Sequence, residues 1–173
     1  LQLDRTVTDG WFVEAISRDP FNQQAHFRKL FALCQKWSGS HDEMYSFARQ
    51  TMSKLPDAST LHSLIYLAYQ EHFLYLAHFD KNPDGARALP RNSNIRTESI
   101  AVYERSFGRR PTITNVADYW PHNVAAWWFM MMDKKEQARQ EAKKIGRNFT
   151  EYPWLIFYVP PTKGYQKFLR FTR

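Results

Sequence analysis

An all-α fold of stacked antiparallel helix pairs is what this sequence predicts, and three observations carry that expectation. Thr60–Phe79, TLHSLIYLAYQEHFLYLAHF, is apolar on nearly every face of a helix and so belongs in an interior walled by other helices. Elsewhere the apolar residues recur at three- and four-residue spacing rather than in alternation. Capping and breaking residues then cut the chain into short segments joined by tight turns. The expected layout is one domain over residues 1–173: a lead-in at 1–9, about seven helices over 10–147, and an irregular C-terminal strap over 148–173.

Thr8 or Asp9 is placed to cap a first helix over Gly10–Arg18, with Phe12, Ala15 and Ile16 on one face. Asp19-Pro20 reads as an N-cap followed by proline at the first helical position. It opens a second helix, Pro20–Trp37, whose inward set is Phe27, Leu30, Phe31, Cys34 and Trp37, stopped by Ser38-Gly39. Ser40 and Glu43 form a capping box for His41–Leu55, in which Met44, Phe47, Ala48, Thr51 and Leu55 face inward. Pro56-Asp57 ends that helix, and Ser59 caps the central one. Its inward line is Leu61, Leu64, Ile65, Ala68, His72 and Leu76, and the interruptions His62, Gln70, Glu71, His72 and His78 mark it as a core helix rather than a membrane span.

Asp80–Asn92, with Asn82-Pro83-Asp84-Gly85 inside it, reads as the longest internal loop. A fifth helix over about Asn94–Phe107 places Ile100, Tyr103 and Phe107 inward, and Gly108 stops it. Pro121 breaks or restarts the chain, and Val124, Trp127, Trp128 and Met131 give a sixth helix over Pro121–Met132. Asp133 is the expected cap of the seventh, Lys134–Ile145, whose narrow inward stripe is Ala138, Ala142 and Ile145; Gly146 follows as its terminator. Pro153, Pro160 and Pro161 argue for an extended strap after that, with one turn or two of helix over Lys163–Phe171.

The totals narrow the classes. Six Trp, nine Tyr and thirteen Phe supply a large apolar payload and exclude a disordered chain. Cys34 is the single cysteine, so there is neither an internal disulfide framework nor a cysteine-based zinc site. It sits on an apolar helical face and reads as a buried, inert thiol. The cytoplasm fits this usage best; a periplasm in which the protein makes no disulfide fits too, because the chain opens at Leu1 without Met and a removed leader or anchor stays open. Net charge is +7 and uneven. Residues 1–80 carry seven Lys/Arg against nine Asp/Glu, whereas residues 81–173 carry seventeen against eight. A field of that sign attracts an acidic protein, nucleic acid or an anionic surface.

Pro20 and His26 recur as Pro56 and His62, an offset of 36 residues, near the ~34-residue period of tetratricopeptide-type pairs. Ala125–Trp154 has an aromatic first helix, a tight Asp-Lys turn and then EQARQEAKKIG. Together with Asp19-Pro20-Phe21-Asn22 and the stretch Lys36–Met44, it resembles an uncharacterised family of bacterial proteins built from tetratricopeptide-like helix pairs. The likeness covers Val13–Trp154, with Trp37-Ser38-Gly39 standing where the family would have Trp-Gly-Gly. What the resemblance implies is a stacked α-hairpin superhelix and no particular reaction.

Candidate chemistry is sparse. His62, His72 and His78 are spaced by 10 and 6, which does not align them on one helix face, and HExxH, cysteine pairs and Gly-rich phosphate loops are absent from the sequence. No metal or cofactor is expected. An enzyme would need Glu71, His72 and His41 to meet in a pocket open to solvent. A binding surface is the stronger expectation: Lys135, Arg139, Lys143 and Lys144 on the solvent side of the seventh helix, Arg109 and Arg110 before it, and Tyr119, Trp120 and His122 as interface anchors. The predicted function is therefore a non-enzymatic protein-binding module for an acidic-surfaced bacterial partner, one version being an immunity or accessory protein. The alternative is a nucleic-acid or anionic-surface binder using the basic C-terminal half.

Overall fold

The computed structural model describes residues 4–37, 39–157 and 159–173. Residues 1–3 of the expected lead-in, Ser38 of the expected helix stop and Tyr158 of the expected strap lie outside the described residues. Among the described residues the chain is all-helical, without strands, and forms ten α-helices rather than about seven. They are α1 (Arg5–Arg18), α2 (Gln23–Ala32), α3 (His41–Met52), α4 (Leu64–Leu74), α5 (Pro83–Ala88), α6 (Ser93–Arg105), α7 (Tyr119–Met131), α8 (Lys135–Ile145), α9 (Glu151–Trp154) and α10 (Pro161–Phe171).

The boundaries that moved did so for local reasons. Asp4, not Thr8 or Asp9, caps α1 by accepting from the Thr6 N–H, so the helix takes in most of the expected lead-in. Asp19 does not open α2: its own N–H bonds back to the Ala15 carbonyl and closes α1, while Asn22 accepts from the Ala25 N–H and starts α2 three residues later. Ser40 caps α3 through the Glu43 N–H as expected, but the Glu43 carboxylate turns to Arg5. The expected long loop after residue 80 contains α5, because Asn82 accepts from the Gly85 N–H and Pro83 supplies the first helical φ. Asp133 does not cap α8; it sits at φ 56°, and Lys134 takes the N-cap position without a side-chain bond. The strap folds back as α9 and α10, with Tyr165 and Phe168 buried on the inner face of α10.

Consecutive helices pack in pairs, α1 on α2, α3 on α4, α7 on α8 and α9 on α10. The core sits where α4 and α7 meet. Every residue from Thr60 to Glu71 is buried, spanning a 3-10 turn capped by Ser59 and most of α4. The expectation for that stretch holds; beyond it, Tyr75–Phe79 is a π-helical turn reaching the surface. α7 matches it, with Pro121–Phe129 buried without a break. Sequence periodicity assigned α7 one buried face, and it has no exposed one, since α8, α9 and α10 cover the sides that α4 does not. Pro121 is harmless as the third residue of the helix, where its N–H would have no partner anyway.

Polar groups inside this double-helix core are used as links. Gln70 of α4 donates to the Val124 carbonyl of α7 at 2.8 Å, and Trp128 Nε1 donates to the Ser99 hydroxyl of α6 at 3.0 Å. Trp154 Nε1 donates to Asn123 Oδ1 at 2.6 Å and fixes α9 to α7. α10 then closes over Trp154, where Gly164 lies so near that a Cβ would stand 2.4 Å from the Trp154 carbonyl oxygen.

Candidate functional site

The basic set picked out by the sequence divides in two once the helices are in place. Lys144 is drawn inward: its Nζ donates to Glu141 Oε1 and to the Phe107 carbonyl, each at 2.7 Å. Glu141 is fully buried and also accepts from the Tyr103 hydroxyl and from Nδ1 of His122, itself fully buried in α7. Arg110 is committed elsewhere, to Asp118 at 2.6 Å and the Ala58 carbonyl at 3.1 Å. Asp118 in turn accepts from Thr60 and Gln23, so this carboxylate ties α2, the start of the central helix and the approach to α7. Arg139 donates to the Thr172 and Arg173 carbonyls and holds the end of α10. Trp120 lies between Phe27 and Tyr152, with ring centroids 4.4 and 5.9 Å away, and Tyr119 is half-buried.

Three of the predicted site residues remain at the surface: Arg109, Lys135 and Lys143. Arg109 pairs with Asp57 at 2.8 Å. The Arg105 hydrogen bond, helped by the Arg109 charge, holds the Asp57 carboxyl below its ordinary range. Lys143 lines a depression of about 520 Å³ between α8 and the 108–113 segment, together with Arg110, Lys144, Thr112 and Gln140.

A second, larger depression of about 660 Å³ runs along α6, lined by Ser93, Arg96, Thr97, Ile100, Ala101 and Glu104, with Arg91 and Lys134 beside them. The α6 residues follow i, i+3, i+4 spacing, so they form one face of that helix. Arg91 precedes the helix and Arg96 lies in its first turn, where no acid is present, while Glu104 stands in the last turn beside Arg105. Arg96 and Glu104 each stand against the helix dipole, at a cost of about 0.3–1 kcal/mol apiece, whereas Arg105 in the last turn complements it. Sequence reasoning missed Arg91 and Arg96 as surface residues of interest. Their signal was there: cations before and within a helix's first turn, with no carboxylate in that turn.

The convergence that an enzyme reading required does take place in part, between α3 and the end of the central helix. His41 stacks on His72 with ring centroids 3.7 Å apart, and His41 lines one crevice with Glu71, Cys34, Lys36 and Tyr75. The crevice is too narrow to hold a water molecule. Glu71 accepts from Lys36 at 2.5 Å, burial pushes the Cys34 thiol well up, and burial lowers His72 to about 4 with help from His41. At neutral pH this leaves a protonated thiol, two neutral imidazoles and an ion-paired carboxylate, which is a packed polar cluster rather than a primed nucleophile. Among the described residues no group of three or more His, Cys, Asp or Glu is placed to hold a metal ion.

The described exposed aromatic rings lie between Trp11 and Phe79, whereas Val116, Leu155 and Val159 are the exposed large apolar side chains described beyond them. Trp11 and Phe21 are 57% and 51% exposed, and a groove of about 530 Å³ between α1 and α3 is lined by Phe12, Ile16, Phe21, Phe47 and Leu55. Among the residues of 81–173 whose side chains are described, no Trp, Tyr or Phe is exposed. No described helix is long and apolar enough to cross a membrane. No family model matches this chain, and no curated protein or solved structure matches it.

Proposed function

We propose that this chain is a non-enzymatic protein-binding module, its helix pairs stacked in the tetratricopeptide-like manner, that takes an acidic-surfaced partner on its basic C-terminal half. The observation that carries the reading is the pair of basic depressions flanking α6 and α8, with Lys143 and Lys135 exposed on the same half. Opposite charge on a partner would steer encounter there and select against basic competitors. An immunity or accessory protein that covers an acidic bacterial protein is one form of this role.

The alternative, nucleic-acid binding, draws on the same cations. It lacks support from ring stacking, because the aromatics of this half whose side chains are described are buried or half-buried, and single-stranded nucleic acid is bound by exposed rings together with a basic groove. The deciding experiment is affinity capture from the native host with the wild type and a Lys135→Glu/Lys143→Glu variant, followed by titration of the purified partner. Lys144 is left alone because its substitution would strand buried Glu141. An acidic partner whose affinity falls at least about tenfold with the variant is the expected result. Equal recovery by both forms sinks the reading, and steep salt-dependent binding to unrelated DNA and RNA would put the alternative in its place.

A further inference from the structure

The groove along α6 has a polarity that a plain basic patch lacks. Its cations, Arg91, Arg96 and Lys134, gather at the N-terminal end of the helix, and Glu104 stands at the other. Among the described residues neither Arg91 nor Lys134 makes an ion pair, and the bonds of Arg96 go to the Pro90 and Met132 carbonyls, so no described carboxylate pairs with any of the three. Between the two ends the wall is Thr97, Ile100 and Ala101, uncharged and mostly small, which lets another backbone come close. Ser93 and Glu104 are eleven residues apart on one helix, or ~16 Å at 1.5 Å per residue.

We propose that this groove docks one amphipathic helix of a partner protein, lying parallel to α6, with an acidic first turn against Arg91, Arg96 and Lys134 and a basic last turn against Glu104. The inference rests on the protein-binding reading above and specifies what the basic half receives. Charge complementarity selects the occupant. Acids first and bases last is the order that stabilises a helix through its own dipole, so a helix of that polarity arrives already suited to both ends of the groove. It also offsets the charges that α6 carries against its dipole. A nucleic-acid strand, with phosphate at every step, would meet Glu104 at one end. An extended acidic peptide would leave Glu104 without a counterpart.

The test uses two hydrocarbon-stapled peptides of about 14 residues, long enough for the ~16 Å face. They have the same composition, one with Glu in the first turn and Lys in the last, the other with the two exchanged; stapling keeps both helical. At roughly 20 mM salt, where screening is weak, amide resonances of the ¹⁵N-labelled protein are followed during titration. The Glu-first peptide is expected to move resonances of residues 91–104 and 134 and to bind about tenfold tighter than its isomer. An Arg91→Glu/Lys134→Glu/Glu104→Lys variant is expected to reverse that order. Equal binding of the two peptides, shifts centred elsewhere, or an unchanged order in the variant overturns the proposal. If neither peptide binds while partner capture still fails with Lys135→Glu/Lys143→Glu, the basic-face reading stands and the helix proposal falls. A dimer in sedimentation that the triple variant abolishes assigns the groove to a second copy instead, and also overturns it.

Discussion

Lys143 and Lys144 are adjacent in sequence and have opposite lives in the molecule. One is at the surface; the other spends its charge on Glu141 and the Phe107 carbonyl. Neighbours on a helix point about 100° apart, so only one of two consecutive lysines can face the core. Which one depends on Tyr103 of α6 and His122 of α7, and no window on α8 contains either. Glu141 is the centre of that network, accepting from three donors while fully buried. Glu141→Ala would leave a buried imidazole without its hydrogen-bond partner and a nearly buried ammonium without its anion, at a cost of about 3–5 kcal/mol. Urea unfolding checks this against Glu136→Ala, whose exposed pair with Arg139 is worth under about 1 kcal/mol. Similar losses for the two variants would remove Glu141 from the centre of the network.

At the scale of elements, two of the caps within the first sixty positions and the one long apolar run were legible, whereas the caps of α1 and α2 were not. Ser40, Ser59 and the buried stretch from Thr60 are where the sequence puts them. Two start signals competed at the head of α2, and Asn22 prevailed over Asp19 because Asp19 was already closing α1. An asparagine cap, here followed by proline, also stood at Asn82-Pro83, inside what read as a loop. In the tail, three prolines outweighed a pattern that was present: Tyr165, Phe168, Leu169 and Thr172 recur at helical spacing, and Pro161 sits at a helix start, where proline is welcome. Contact between α9 and α10 depends on Gly164. Gly164→Ala would press a methyl against the Trp154 carbonyl and push α10 outward, an overpacking cost of about 1–3 kcal/mol. Hydrogen exchange should show the amides of α10 losing protection while α4 and α7 keep theirs. Unchanged protection in α10 would mean the close approach is not what seats it.

At the scale of the whole molecule, the histidines set the response to acid. Burial lowers His41, His62 and His72, the last to about 4 with His41 contributing. The unfolded chain takes up those protons near pH 6.5, whereas the folded one resists them until lower pH. Stability from these groups is therefore full above about pH 6.5 and declines as pH falls toward 4, with slope set by protons the unfolded state alone binds. The expected loss over that span is of the order of 1–2 kcal/mol once partial solvent screening is allowed for. Denaturant midpoints measured across the range check it, and His72→Gln should flatten the profile. A midpoint that stays level from pH 6.5 to 4.5 in the wild type contradicts it.

The indole placement has a practical consequence. Trp127, Trp128 and Trp154 are fully buried around the contact of α7 with its neighbours, Trp120 is wedged between two rings, and Trp11 and Trp37 are 57% and 50% exposed. The chain thus carries two populations of fluorophore, one open to a small quencher such as acrylamide and one shut away from it. Shielded emission would report whether the interior is intact, and accessible emission would register events on the rim, so one cuvette distinguishes loosening from docking without any label.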